Sequence, residues 1–226
     1  SIHHLYREGK GISALGTGFG KTLSALALMA LLRQEGKVKR PFLQVPNNKV
    51  KDWKRIIGQV LPGWNVGAVD PEDDGYSSQE KRYKMYQDIA NSDADIVILP
   101  ESAASEIQLN EELDTQLIDE AMYHLVPEEG RSPRKVQEQR EKLREKLTGN
   151  RRNVTMTFED FGCDAVFVDE AHNYKNLFQS SLGRELGMND GRRSDRALAL
   201  WKKNEYIRRN NDDKNVFFLT ATPLTN

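Results

Sequence analysis

With 33 Lys and Arg against 34 Asp and Glu, the 226-residue chain has a net charge of −1 and no overall basic field. Any contact with nucleic acid must therefore come from a local patch. The length suits one large domain, or one domain with an insertion, and 30% charged residues point to a solvated segment somewhere within it. Cys163, the single cysteine, excludes an internal disulfide and a cysteine-built zinc site, and fits a small buried residue in a reducing, intracellular compartment. No signal peptide is recognisable, and the longest apolar run, "LSALALMALL", is too short to span a bilayer, so no membrane partner is expected.

The chain starts abruptly at "SIHHLY" and stops at "TATPLTN", as a piece cut from a longer protein would; His3 and His4 are given no role. Short apolar runs rich in β-branched or aromatic residues recur at 12–15, 42–45, 66–69, 95–99, 165–168 and 216–219. Several are continuous rather than alternating, which suits parallel strands covered on both faces. Between the first two, Leu23 to Leu32 is apolar all round and predicts a buried helix. "NNKVKDWKRIIGQV" sets Val50, Trp53, Ile57 and Val60 at helical spacing. "SDRALALWKKNEYIRR" predicts a helix capped by Ser194, with Leu198, Trp201 and Ile207 on one face. Strands alternating with helices predict an α/β domain with a mostly parallel central sheet flanked by helices. The stretch from 103 to 157 breaks the rhythm. It holds no good strand, and "EEGRSPRKVQEQREKLREKL" has the charge spacing of a solvated helix, so a charged helical insertion projecting from the sheet is expected.

Three stretches carry chemistry. "GTGFGKT", after the first strand, combines Gly16, Thr17, Gly18, Phe19 and Gly20 with Lys21 and Thr22 at a helix start. Such a loop offers backbone N–H groups and a helix N-terminus to phosphates, a lysine to the terminal phosphates and a hydroxyl to Mg²⁺. Leu15 stands where the strict G-x-x-x-x-G-K-[ST] pattern has its first glycine, and a plain glycine-rich turn is the alternative. "AVFVDEAHNYKN" runs an apolar strand into Asp169 and Glu170, at the carboxyl edge of a parallel sheet, where one acid can hold a metal and its neighbour can activate water. The competing reading is a pair of acids complementing a helix dipole. "VFFLTATPLTN" ends a strand in Thr220 and Thr222, hydroxyls able to sense a γ-phosphate or simply to make a turn.

In this order the three stretches resemble motifs I, II and III of the superfamily-two helicases and translocases, with "DEAH" matching motif II letter for letter. "LTATPLTN" and the "FLQVPNNKVKDWKRII" stretch resemble the Snf-type branch. "FEDFGCDAVFVDEAHNYKNL", preceded by a charged insertion, resembles the helicases of phages and mobile elements linked to DNA methylases or antirestriction. The resemblance implies an N-terminal RecA-like ATPase lobe that binds ATP and Mg²⁺ in a bacterial or phage-infected cell. Lys21 would bind the phosphates, Thr22 and Asp169 the Mg²⁺, and Glu170 would activate the attacking water. His172, Thr220 and Thr222 would couple hydrolysis to nucleic acid, while Pro46, Asn47 and Lys49 would lie near the DNA backbone. Duplex DNA and a second RecA-like lobe of the same parent chain, beyond Asn226, are the implied partners. A DEAH-type RNA helicase lobe and a non-catalytic binding module with a vestigial nucleotide site are the alternatives. A GTPase is disfavoured by the lack of an Asn-Lys-x-Asp guanine reader.

Overall fold

The computed structural model describes residues 2–16, 18–73, 75–125, 132–148, 156–174 and 195–221. Six parallel strands form one sheet in the order β1-β6-β5-β2-β4-β3: β1 Lys10–Ala14, β2 Pro41–Val45, β3 Val66–Ala68, β4 Ile96–Pro100, β5 Ala165–Val168 and β6 Val216–Thr220. The helices are α1 Ile2–Glu8, α2 Lys21–Gln34, α3 Val50–Val60, α4 Gln79–Ala90, α5 Glu101–Glu106, α6 Glu111–Leu125, α7 Pro133–Thr148 and α8 Asp195–Asn210. This is the α/β, RecA-like arrangement that the motif order implies, and every predicted strand is present within a residue or two of its expected bounds.

Both faces of the sheet are covered, which explains the continuous apolar runs. Alternate residues of the inner strands enter two separate cores, because successive side chains point to opposite faces. Phe42, Val97, Leu99, Val166 and Val168 pack with Tyr86 of α4, Ala103 of α5, Leu117 of α6 and Leu200 and Ile207 of α8. Leu43, Val45, Ile96, Ile98, Phe167 and Phe217 pack with Leu5 of α1, Leu26 and Met29 of α2 and Trp53 and Ile57 of α3. Phe167 and Phe217 stack at 4.6 Å between centroids across the β5–β6 pair. Cys163 is a buried free thiol whose pKa burial pushes up.

Two predicted elements differ in detail. The helix expected over 23–32, α2, is not buried all round: Leu23 is exposed while Ala25, Leu26, Leu28, Met29 and Leu32 are buried, so it docks by one broad face. The described part of the 103–157 stretch is mainly helical, in the end of α5 and in α6 and α7, but only part of it is solvated. Ala103 and Ala104 sit in the core on α5, and α6 sends Leu117 into the main core and packs Ile118 and Met122 against Leu198 of α8. The charged sequence describes α7, whose Val136 is buried while its described neighbours Arg134, Lys135, Gln137 and Glu138 are exposed. The Ser194 cap lies outside the described residues. Among the described residues, no helix is long and apolar enough to cross a membrane.

Candidate active site

Because all the strands run the same way, every strand-to-helix junction with chemistry in it opens on one rim of the sheet. At the first junction the Phe19 N–H donates to the Gly16 carbonyl at 3.2 Å, closing a tight turn. Gly18 and Gly20 have φ of 84° and 76°, and a Cβ at either would meet no atom within 4 Å. Backbone conformation therefore requires glycine there, not lack of space. Gly20 caps α2 and its carbonyl accepts from Ser24 N at 2.8 Å, so Lys21 opens the helix with Thr22 in its first turn. The Phe19 side chain is exposed.

β5 brings the two acids to the same rim. The Asp169 N–H still bonds the Gln44 carbonyl at 2.8 Å, extending the pairing with β2, and then the chain turns sharply at Glu170, which has φ of 49°. Positive φ is costly for a residue with a Cβ, and it concentrates at functional positions. The turn aims both carboxylates at Lys21. The ammonium lies 2.6 Å from Glu170 Oε1 and 3.1 Å from Asp169 Oδ1. Burial works against its charge, but the hydrogen bonds and charges of Glu170 and Asp169 outweigh burial and raise the Lys21 pKa above its ordinary value.

The remaining bonds spread from this centre. Asp169 Oδ1 also accepts from Glu170 N at 3.0 Å, while Oδ2 accepts the Trp53 indole N–H at 3.0 Å. His172 Nδ1 lies 3.3 Å from Glu170 Oε2 and 3.3 Å from Thr220 Oγ1, so the third stretch reaches the second through one imidazole. Lys21, Asp169, Glu170, His172 and Thr220, spread over 200 positions of sequence, thus form one connected polar cluster. Its donor set suits a hard cation with a polyphosphate: an ammonium, oxygen-only ligands at Asp169 and Thr22, and backbone N–H groups at a helix start. Among the described residues no group of three or more His, Cys, Asp or Glu could hold a metal by protein ligands alone. A magnesium ion here would thus draw most of its coordination from phosphate and water.

Residues 4–226 match the model of a family described as a probable helicase domain. The chain belongs to this family. It is 26% identical over 275 aligned residues to Defense against restriction protein B of Escherichia phage P1, covering 100% of this chain and 12% of that protein. It is also 33% identical over 89 residues to the Mus musculus SWI/SNF-related matrix-associated actin-dependent regulator of chromatin subfamily A containing DEAD/H box 1, covering 39% of this chain and 8% of the relative. The helicase domain therefore spans about an eighth or less of the curated relatives it matches. Of solved structures, a Sulfolobus solfataricus SWI2/SNF2 ATPase core in complex with dsDNA aligns with TM-score 0.47 and 14% identity, covering 98% of this chain and 30% of that one. A nuclease-deletion mutant of the Type ISP restriction-modification enzyme LlaGI, in complex with a DNA substrate mimic, aligns with TM-score 0.43 and 13% identity over 100% of this chain and 17% of that one.

The other expected residues of the helicase domain lie further along the rim. Pro46 leads into a 3-10 turn, Asn47–Lys49, ahead of α3. Asn47 Oδ1 accepts the Ser102 N–H at 3.1 Å, tying the β2 junction to the start of α5, and Lys49 Nζ lies 3.2 Å from Asp52 Oδ2 on the surface. Thr17 and Thr222 lie outside the described residues.

Sequence reasoning missed two parts of the network in the helicase domain. Trp53 stands in the sequence as a position on an apolar helix face and within the Snf-type stretch, with no polar role given to it, although a buried indole N–H needs an acceptor. Gln44 is the one polar residue of β2, and a buried amide likewise needs partners. Its Nε2 donates to the Tyr174 hydroxyl at 2.6 Å, which in turn lies 3.4 Å from Glu101 Oε2. Arg196 of α8 pairs with the other Glu101 oxygen at 3.1 Å. Burial is the main cause of a raised Tyr174 pKa, so the hydroxyl stays protonated and able to donate.

Proposed function

We propose that the chain is the ATP-binding first lobe of an ATP-dependent DNA helicase or translocase, in which hydrolysis is coupled to movement on DNA. The observation that supports this best is the meeting of Lys21 with Asp169 and Glu170 at the junctions after β1 and β5, 3.1 and 2.6 Å respectively from the ammonium. In this reading Lys21 exchanges its carboxylate partners for the β- and γ-phosphate oxygens of ATP, with amides of Gly16, Gly18 and Gly20 as further donors. That exchange frees Glu170 Oε1 to orient the attacking water and take its proton. Thr22 and Asp169 hold the magnesium ion, which neutralises phosphate charge when bound. His172, in reach of both Glu170 and Thr220, relays the change at Glu170 to the end of β6.

The DNA contact is proposed at Pro46, Asn47 and Lys49, with duplex the expected form. The Snf-type resemblance of "LTATPLTN" and of the "FLQVPNNKVKDWKRII" stretch supports that choice. A second RecA-like lobe, C-terminal to this one in the parent chain, supplies an arginine worth about 10³–10⁵ in rate. Residues 1–226 alone are therefore expected to hydrolyse ATP poorly.

The test is a turnover assay on the full-length protein with duplex DNA, single-stranded DNA or RNA added. Glu170→Gln should lower kcat by about 10²–10⁴ and leave ATP binding intact. A variant that still moves or hydrolyses at the wild-type rate would make hydrolysis at this site irrelevant. Stimulation by RNA above duplex DNA would replace DNA as the track.

A further inference from the structure

Asp169 has two oxygens in different surroundings. Oδ1 faces the glycine loop, 3.1 Å from Lys21 Nζ, and also receives the Glu170 N–H. Oδ2 faces the core and accepts the indole N–H of Trp53 at 3.0 Å, from a side chain on α3, an element 116 residues earlier in sequence. Trp53 is 2% exposed and Asp169 6% exposed, so water does not compete freely for either end of this bond. A hydrogen bond to an ionised acceptor is short, directional and stronger than a neutral one, more so away from solvent. The indole is a single-donor group, rigidly packed beside Val50 and Ile57 in the core. It cannot rotate to follow the carboxylate, so the carboxylate must follow it.

We propose that Trp53 is a positioning residue for Asp169, fixing the carboxylate plane so that Oδ1 is held toward the magnesium–phosphate position. This rests on the proposed ATPase reading and deepens it. Residues that orient a metal-binding carboxylate from behind cost about 10–100-fold in metal affinity or activity when removed. Trp53→Phe keeps most of the ring and deletes only the donor and part of the indole. In the full-length protein saturated with ADP, Mn²⁺ affinity read by electron paramagnetic resonance of free Mn²⁺ should fall by about 10–100-fold. Affinity for a fluorescent ADP analogue in EDTA should stay within about twofold, because Lys21 and the loop amides are untouched.

Equal Mn²⁺ affinity in Trp53→Phe and wild type would overturn the assignment. So would a parallel loss of metal-free nucleotide affinity, which is the signature of a ring that merely packs. If Trp53→Phe does not fold, 3-benzothienylalanine at position 53 retains the bicyclic shape and places sulfur where the N–H was. It should reproduce the loss of Mn²⁺ affinity, and wild-type affinity in that protein again refutes the role. A wild-type ADP complex that takes up no Mn²⁺ would sink the ATPase reading itself. Normal uptake unaffected at position 53 would sink only the inference.

Discussion

Replacing Lys203 by methionine is expected to stabilise the chain, by an amount that shrinks as pH rises. Lys203 is 2% exposed on α8; its ammonium donates to the Ala199 carbonyl at 3.2 Å and lies 5.8 Å from the Phe158 ring centre. Burial, with the adjacent charge of Lys202 and against the attraction of Asp114 and Glu159, lowers its pKa from 10.5 to about 7. The folded chain then releases this proton near neutrality, whereas the unfolded chain keeps it up to the ordinary lysine value. Between those limits the unfolded state binds more protons, so stability rises with pH across that window. The cost of Lys203 is full below the folded value and gone above the unfolded one. At about 1.4 kcal/mol per pH unit the gap corresponds to a few kcal/mol at pH 6. Methionine keeps the apolar stem and fills a similar volume. Urea unfolding of wild type and Lys203→Met over a pH series gives the difference curve, in which groups common to both cancel. We expect the variant to lead by about 3–5 kcal/mol at pH 6 and by under about 1 kcal/mol at pH 10.5. A difference that does not change with pH, or a variant less stable at pH 6, would refute the reasoning.

Two other perturbations probe the rim. Glu170→Ala and Glu170→Gly lose the same ion pair to Lys21, but only alanine keeps a Cβ at φ of 49°. The glycine variant should therefore be the more stable by about 1 kcal/mol in denaturant unfolding, and equal stabilities would show that the turn is unstrained. Lys49→Ala should weaken DNA binding by the full-length protein for all sequences alike and make the slope of log K against log salt shallower by about 1. An unchanged slope would move the backbone contact away from the β2 junction.

The six strands were legible because each inner strand is buried on both sides, so sequence alone shows an unbroken apolar run. β1 shows where that signal fades. It begins at Lys10, earlier than its apolar residues suggest, because Lys10 pairs with Val216 through backbone that needs no apolar side chain, and Ile12 is left exposed at the sheet edge. The glycine loop and the Asp-Glu pair were legible for another reason: the role proposed for them depends on residue type at fixed local spacing. α6 is not legible as a core helix because it opens with three acids, Glu111, Glu112 and Asp114, and the apolar residues Leu117, Ile118 and Met122 become a core face only once α8 lies against them.

By itself the sequence determined the six strands and their parallel arrangement, the helices α2, α3 and α8, and which residue types could handle a magnesium–phosphate. Those follow from local periodicity and local spacing, which are written along the chain. Tertiary structure decided how Asp169 is oriented, that Glu170 sits in a strained turn, that Gln44 and Tyr174 share a bond and that Lys203 is dry. These depend on which distant groups meet and how far water is excluded when they do, and hydrogen bonding and charge respond to those distances and to burial rather than to order in the chain.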